Sequence, residues 1–168
     1  EQLDLRSRLE AGGIEAELKD GETSAWLSYA RAAAKFWQGM HREAVPELRR
    51  AEQLWKLHLP WALRELGTLR AYLMTSLYMV GELDTMRQLL APMMEEADER
   101  DDINLSTWIA GTCWPVDLLE GDVKAAKDRI RRAKRRWANQ TGARFDYPNW
   151  MLEIASANLD LYEGEPQR

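Results

Sequence analysis

Four glycines, Gly39, Gly81, Gly121 and Gly164, stand 42, 40 and 43 residues apart, each following large apolar residues. The flanking text repeats as Phe36-Trp37-Gln38-Gly39, Tyr78-Met79-Val80-Gly81, Leu118-Leu119-Glu120-Gly121 and Leu161-Tyr162-Glu163-Gly164. Five residues past the first three glycines come Ala44, Met86 and Ala126; nine past come Leu48, Leu90 and Ile130; twelve past come Ala51, Met93 and Ala133. Self-similarity at a period of 40 to 43 residues marks a chain built from stacked supersecondary units, none of which buries its apolar face alone. Each glycine reads as a helix stop, where a left-handed backbone is cheap only without a Cβ.

Between the glycines, apolar residues recur at three and four, the period of a half-buried helix. The spacing predicts helices over 24–38 (with Ser24 as N-cap), 41–57, 60–80, 83–99, 103–120, 122–139 and 146–163. Pro46, Pro92 and Pro115 are expected to bend theirs, and Pro60 to open one. Residues 2–11 read as the tail of an earlier helix and 14–19 as a short turn. The first helix of each pair, such as Trp61–Val80, is apolar on most sides; the second carries a narrower stripe and more charge. A helix apolar all round must be covered all round. The fold class is therefore all-α: a right-handed α-solenoid of stacked antiparallel helical hairpins. Residues 1–168 read as a single helical-repeat domain. Within it, 1–22 close a preceding repeat, 23–58, 60–100 and 102–140 are hairpins, and 144–164 form a terminal helix. Glu1 in place of methionine, and a stop soon after Gly164, suggest a fragment of a longer protein.

The net charge of −5 argues mildly against nucleic acid or an anionic membrane as partner. No apolar run reaches the length of a membrane span. A lone cysteine, Cys113, cannot close an internal disulfide, so a cytoplasmic location is expected. The eight tryptophans are read chiefly as wide packing residues between helices.

The run of apolar-x-x-Gly, then Ala, Leu and Ala at five, nine and twelve, resembles the tetratricopeptide repeat, here in a divergent variety with longer helices. The stretch from Trp61 to Pro166 resembles, more particularly, helical-repeat regions near the C-terminus of large bacterial signalling proteins. It does so through Tyr78-Met79-Val80-Gly81-Glu82-Leu83, Glu95-Glu96-Ala97-Asp98-Glu99-Arg100-Asp101-Asp102, Arg136-Trp137 and Asn158-Leu159-Asp160-Leu161-Tyr162-Glu163-Gly164. Those proteins carry a serine/threonine kinase domain upstream, often with an ATPase module. The resemblance implies protein interaction or regulation and supplies no catalytic residues.

The residues themselves offer little chemistry. Phosphate-binding lysine loops, dinucleotide glycine fingerprints, His-Glu-x-x-His helices and kinase signatures are all missing. His41 and His58 stand 17 residues apart at helix ends, with no partner at metal-ligand spacing. Cys113, in Gly111-Thr112-Cys113-Trp114, reads as a small buried hydrophobe. The expectation is a non-enzyme with no catalytic residue, metal or cofactor.

Two surfaces remain. From Lys124 to Arg136 the chain holds eight basic residues, including Lys124, Lys127, Arg131, Arg132 and Arg135, against one acid, Asp128. Val123, Ala126, Ile130, Ala133 and Trp137 share one face, so the cations wrap the other. This is either a patch for phosphate or an acidic partner, or an electrostatic fit to the neighbouring helix that ends in Glu95, Glu96, Asp98, Glu99, Asp101 and Asp102. The fit weighs more heavily. If Arg131 and Arg135 face that acidic helix, reversing both to Glu lowers thermal stability slightly. The second surface is a groove along the first helices, where Trp26, Arg64, Thr68, Asn104, Trp108 and Tyr147 fall at equivalent positions, suited to a peptide or partner helix. The function expected is a non-catalytic interaction or regulatory module of a bacterial signalling protein. The alternative is a small-molecule-sensing repeat domain of a transcriptional regulator. Self-association through the solenoid ends is also expected, through Ile154, Leu159, Leu161 and Tyr162.

Overall fold

The computed structural model describes residues 20–141 and 147–164, and all regular structure among them is helical. Eight helices follow in order: α1 (Gly21–Trp37), α2 (His41–His58), α3 (Leu63–Val80), α4 (Leu83–Glu99), α5 (Ile103–Thr112), α6 (Trp114–Leu119), α7 (Val123–Thr141) and α8 (Tyr147–Tyr162). This succession is compatible with a helical repeat. The expected elements at 2–11 and 14–19, residue 146 and everything beyond Gly164 lie outside the described residues.

The periodic glycines do what their spacing predicts. Gly39, Gly81, Gly121 and Gly164 have φ of 73°, 79°, 73° and 78°. At the first three the amides close the same pair of bonds: Gly39 N–H to Phe36 and Met40 N–H to Lys35, Gly81 to Tyr78 and Glu82 to Leu77, Gly121 to Leu118 and Asp122 to Asp117. The longer bond of each pair reaches back five residues, which satisfies a carbonyl the helix end would otherwise leave open. The same bonds occur after α4, where Asp102 N–H reaches Ala97 and Asp101 N–H reaches Asp98. There the left-handed position is held by Asp101, at φ 51°, a conformation that disfavours a residue with a Cβ by roughly 1–2 kcal/mol.

Helix starts differ more from expectation. The N-cap of α1 is Asp20, not Ser24: its carboxylate accepts from Glu22 N–H at 3.2 Å and from Thr23 Oγ1 at 2.9 Å. Those bonds hold its pKa below the ordinary carboxylate value, the Thr23 hydroxyl first among them. Pro60 falls in a turn rather than opening α3. The indole of buried Trp55 donates to the Ala62 carbonyl at 3.0 Å and ties that turn down. Pro46 and Pro92 sit on exposed faces of α2 and α4, which run through them unbroken. Pro115 does more than bend its helix. Proline lacks an N–H and its ring crowds the carbonyl four residues back, here that of Gly111. The helix accordingly ends at Thr112 and resumes at Trp114.

The chain divides into two compact units, residues 1–69 and 70–168, with the division inside α3. In the first, α1 packs along α2, burying Ala25, Ala32 and Phe36 on one side and Ala44, Leu48, Ala51 and Trp55 on the other. An ion pair from Lys35 to Glu47, 2.9 Å, bridges the two helices.

In the second unit α5 is central. Of its ten residues only Asn104 is not buried, and α4, α7 and α8 all pack against it. A core of Ala110, Ala126, Ile130, Ala133, Leu152, Ala155 and Leu159 joins α5, α7 and α8. Leu159, expected on an exposed end, is fully buried; Leu161 and Tyr162 are the exposed pair. Closeness between α5 and α8 depends on Gly111, where a Cβ would lie 2.8 Å from Met151 Cβ and 3.0 Å from its carbonyl carbon.

Gly111→Ala therefore has to push two helix backbones apart. Urea unfolding should show a loss of roughly 1–3 kcal/mol, the range for overpacking; an unchanged midpoint would mean that α5 and α8 separate freely.

Candidate functional site

The most highly charged element is α7. Its inward stripe forms as expected: Ala126, Ile130, Ala133 and Trp137 are buried and Val123 is half-buried. Asp122 caps its start, its carboxylate accepting from Ala125 N–H at 2.8 Å. A helix turns roughly 100° per residue, so the cations divide into two flanks beside that stripe. Arg129 and Arg136, seven residues apart, share one flank. Lys127 and Lys134, also seven apart, share the other, with Arg131 and Arg135 at its outer edge.

The first flank is engaged within the protein through Arg136 and Arg129. Arg136 reaches Asp98 at 2.6 Å and Asp101 at 2.7 Å. The electrostatic fit between basic and acidic helices is thus present, but Arg136 carries it. Arg131 pairs instead with Asp128 of its own helix at 3.0 Å, and Arg135 donates to the Arg131 carbonyl. Deeper on this flank, Arg129 pairs with Asp117 of α6, both largely buried. Burial pushes the Asp117 carboxyl above its ordinary pKa, while Arg129 pulls it back. Asp117 Oδ2 and Arg129 Nη1 have no partner among the described residues. Cys113, fully buried nearby, has its thiol pushed up to about 12 by burial, with Arg129 and Asp117 acting in opposite directions.

The second flank borders an open groove of about 360 Å3 between α7 and α8. Buried Ile130 and Leu159 form its floor. Lys127, Arg131, Lys134 and Arg135 supply the α7 wall, and Ser156 and Asp160 the α8 wall. Lys134 pairs with Glu153 at 2.7 Å, and Lys127 with Asp160 at 3.3 Å and with Glu163. The Glu163 carboxylate, foremost, holds the Lys127 ammonium above its ordinary pKa. Of the basic residues singled out from sequence, the groove brings together Lys127, Arg131 and Arg135; Lys124 and Arg132 are exposed elsewhere on α7. Ser156 carries no signal in the sequence, and Leu159, expected on an exposed end, lies buried beneath the groove instead.

The other proposed stripe falls in two parts. Trp26, Arg64 and Thr68 belong to the first unit, and Asn104, Trp108 and Tyr147 to the second. Trp26 is 46% exposed and lies edge-on to Trp55 at 4.7 Å. Arg64 is exposed, and Thr68 donates to its carbonyl at 3.0 Å. Asn104 is half-buried. Trp108 is buried, its indole donating to Thr75 Oγ1 at 2.9 Å. Tyr72, Trp108, Tyr147 and Trp150 follow in a row, with successive ring centroids 5.7, 5.0 and 5.6 Å apart. Tyr147 and Trp150 form its exposed end. Burial of the Tyr147 phenol raises its pKa. Packing accounts for Trp55, Trp108 and Trp137, which are buried, whereas Trp26, Trp37, Trp61 and Trp150 are exposed.

His58 lies against Gly21, and the His41 ring 5.5 Å from that of Phe36. Among the described residues no three His, Cys, Asp or Glu side chains are placed to hold a metal ion, and no helix is long and apolar enough to cross a membrane. No protein-family model, curated protein or solved structure matches this chain.

The two ion pairs of the engaged flank should differ sharply when broken. Arg129→Ala strands the Asp117 carboxylate in the interior and should cost about 3–5 kcal/mol. Arg136→Ala, more exposed, should cost about 1 kcal/mol or less. Equal losses by chemical unfolding would refute the assignment of depth. Cys113 gives a pH test. Its folded pKa of about 12 exceeds the ordinary 9.0, so the folded state holds its proton longer. The stabilisation this gives is complete below about pH 9 and is lost as pH rises towards 12. Disulfide reagents at pH 8 should label Cys113 only at the rate of unfolding; rapid labelling of the native chain would contradict its burial.

Proposed function

We propose that this chain is a protein-interaction module of a larger bacterial signalling polypeptide, of the serine/threonine kinase kind, built as a right-handed tetratricopeptide-like solenoid. The repeated left-handed glycine and the recurrence of buried Ala44, Met86 and Ala126 five residues past it support the solenoid. The groove between α7 and α8 carries the interaction reading: it opens outward and is walled by charged side chains, Arg131 and Arg135 among them.

A second reading, small-molecule sensing, draws on the row ending in exposed Tyr147 and Trp150, where a flat ligand could extend the stack.

A photo-reactive amino acid placed in turn at Trp26, Arg135 and Tyr147, in the full chain in its source cells, tests the first reading. A discrete protein adduct from at least one position is expected. Irradiation that yields no protein adduct at any of them would refute it, and saturable tryptophan quenching by a metabolite would then favour the second.

A further inference from the structure

The left-handed stops set the same kind of residue on the surface each time. Two residues before Gly81, Gly121 and Gly164 stand Met79, Leu119 and Tyr162, between 59% and 62% exposed. In the second unit the helices that carry them lie side by side and run in the same direction. Tyr72 and Tyr78 of α3 meet Trp108 of α5 and Trp114 of α6, in that order. Trp108 and Gly111 of α5 meet Tyr147 and Met151 of α8, again in order. The C-terminal ends of α3, α6 and α8 therefore share one edge, with neighbours about 8–10 Å apart as packed helices are. The three apolar side chains stand along it, with exposed Glu82, Glu120 and Glu163 beside them. Glu163 is shared with Lys127, and Glu82 accepts only from the Thr85 hydroxyl at 3.4 Å. The Glu120 carboxylate has no ion pair among the described residues. Three helix C-termini add partial negative charge to the same edge.

The first unit carries the counterpart, in the turn between α2 and α3. Leu57 and Trp61 are 71% and 70% exposed there, and Leu63 is exposed beside them. Leu59 and Ala62 alternate with them into the core. The Ala62 N–H bonds to the Leu59 carbonyl at 3.0 Å, and the Trp55 indole holds the Ala62 carbonyl from beneath. The turn is thus fixed before any contact, which spares the cost of ordering it. Its exposed charges are cationic: Arg64 has no carboxylate partner among the described residues, and Lys56 pairs only with Glu52 of its own helix at 2.8 Å. We infer that the apolar turn of one copy seats on the apolar edge of a second copy, Leu57, Trp61 and Leu63 against Met79, Leu119 and Tyr162. Charge selects this pairing. Turn on turn would set Lys56 and Arg64 against themselves, and edge on edge would do the same with Glu82, Glu120 and Glu163. Only turn on edge joins opposite signs. The contact is heterologous, a different patch on each copy, and shares only Tyr162 with the end-to-end association expected from sequence. It needs no foreign partner and so goes beyond the interaction reading.

The test uses the full chain in light scattering over a dilution series, where the molar mass should rise with concentration. Two double variants change exposed side chains alone: Leu57→Ser with Trp61→Ser on the turn, and Met79→Ser with Leu119→Ser on the edge. Each by itself should weaken self-association at least about tenfold while keeping its helical circular dichroism. Mixed in equal amounts, the two should associate as one-to-one pairs and go no further, because each retains the surface that the other lacks. A double variant that loses its circular dichroism is replaced by the single change Trp61→Gln or Leu119→Gln. A chain that stays monomeric at every concentration overturns the inference, as does association indifferent to both variants. Loss through one variant alone overturns it in favour of that surface pairing with itself, and variants that fail to associate when mixed overturn it outright. A monomeric chain that still photo-crosslinks to a foreign protein leaves the interaction reading standing. An associating chain that yields no foreign adduct refutes that reading and leaves this one.

Discussion

Everything in this structure hangs on how a helix is stopped. At Gly39, Gly81 and Gly121 the backbone turns left-handed, two amides fold back onto the last carbonyls, and the next helix begins within a few residues. Because the stop is identical each time, the following helix starts in the same rotational register. That is why the positions five and twelve residues later (Ala44 and Ala51, Met86 and Met93, Ala126 and Ala133) are all buried. The turn thus converts a local backbone preference into a repeated packing face. Asp101 shows that the geometry, rather than the glycine, is what the fold requires: the same two bonds form there despite a Cβ.

Charge is organised around the same frame. Asp101 occupies the strained position and also presents a carboxylate to Arg136, so the residue that closes α4 helps to dock α7. Arg129 and Asp117 tie α6 to α7 from within. A six-residue helix is too short to be stable by its own hydrogen bonds, and this buried pair, with Val116 in the core, holds it in place. Exposed ion pairs contribute little to stability singly. Their effect here is to select which flank of α7 faces which neighbour.

Most of this was legible in the sequence where a single residue type decides the outcome. The bounds of α4, 83–99, coincide with expectation because a glycine stops the preceding helix and an acidic run ends this one. At the start of α1, Gly21 looks like a break in the sequence, whereas the Asp20 carboxylate caps the helix and the glycine is carried in the first turn. Pro115 is expected to bend its helix, but its ring and missing N–H interrupt it, and the helix breaks at Cys113. A basic run reveals that α7 will meet acids but not which arginine reaches them, since that depends on the rotation set by the buried stripe. The α7–α8 groove was half legible: its cations stood out, whereas its floor and the small Ser156 wall follow from packing alone. Trp108 illustrates the converse, an aromatic at a groove-like position that packing drew inside and bonded to Thr75.

The closing turns also bear on how the chain reaches this state. Each glycine stop joins two helices through a connection of only two or three residues, so the first contacts to form lie close together along the chain. Loop closure on that scale carries little entropic penalty, and topologies rich in local contacts fold quickly. A helix pair such as α1 and α2 can therefore assemble as a unit before distant segments are in place. Arg129 and Asp117, twelve residues apart across Gly121, can likewise meet early. The residue that ends a helix in the finished molecule is, on this view, also the one that sets the order in which the molecule is made.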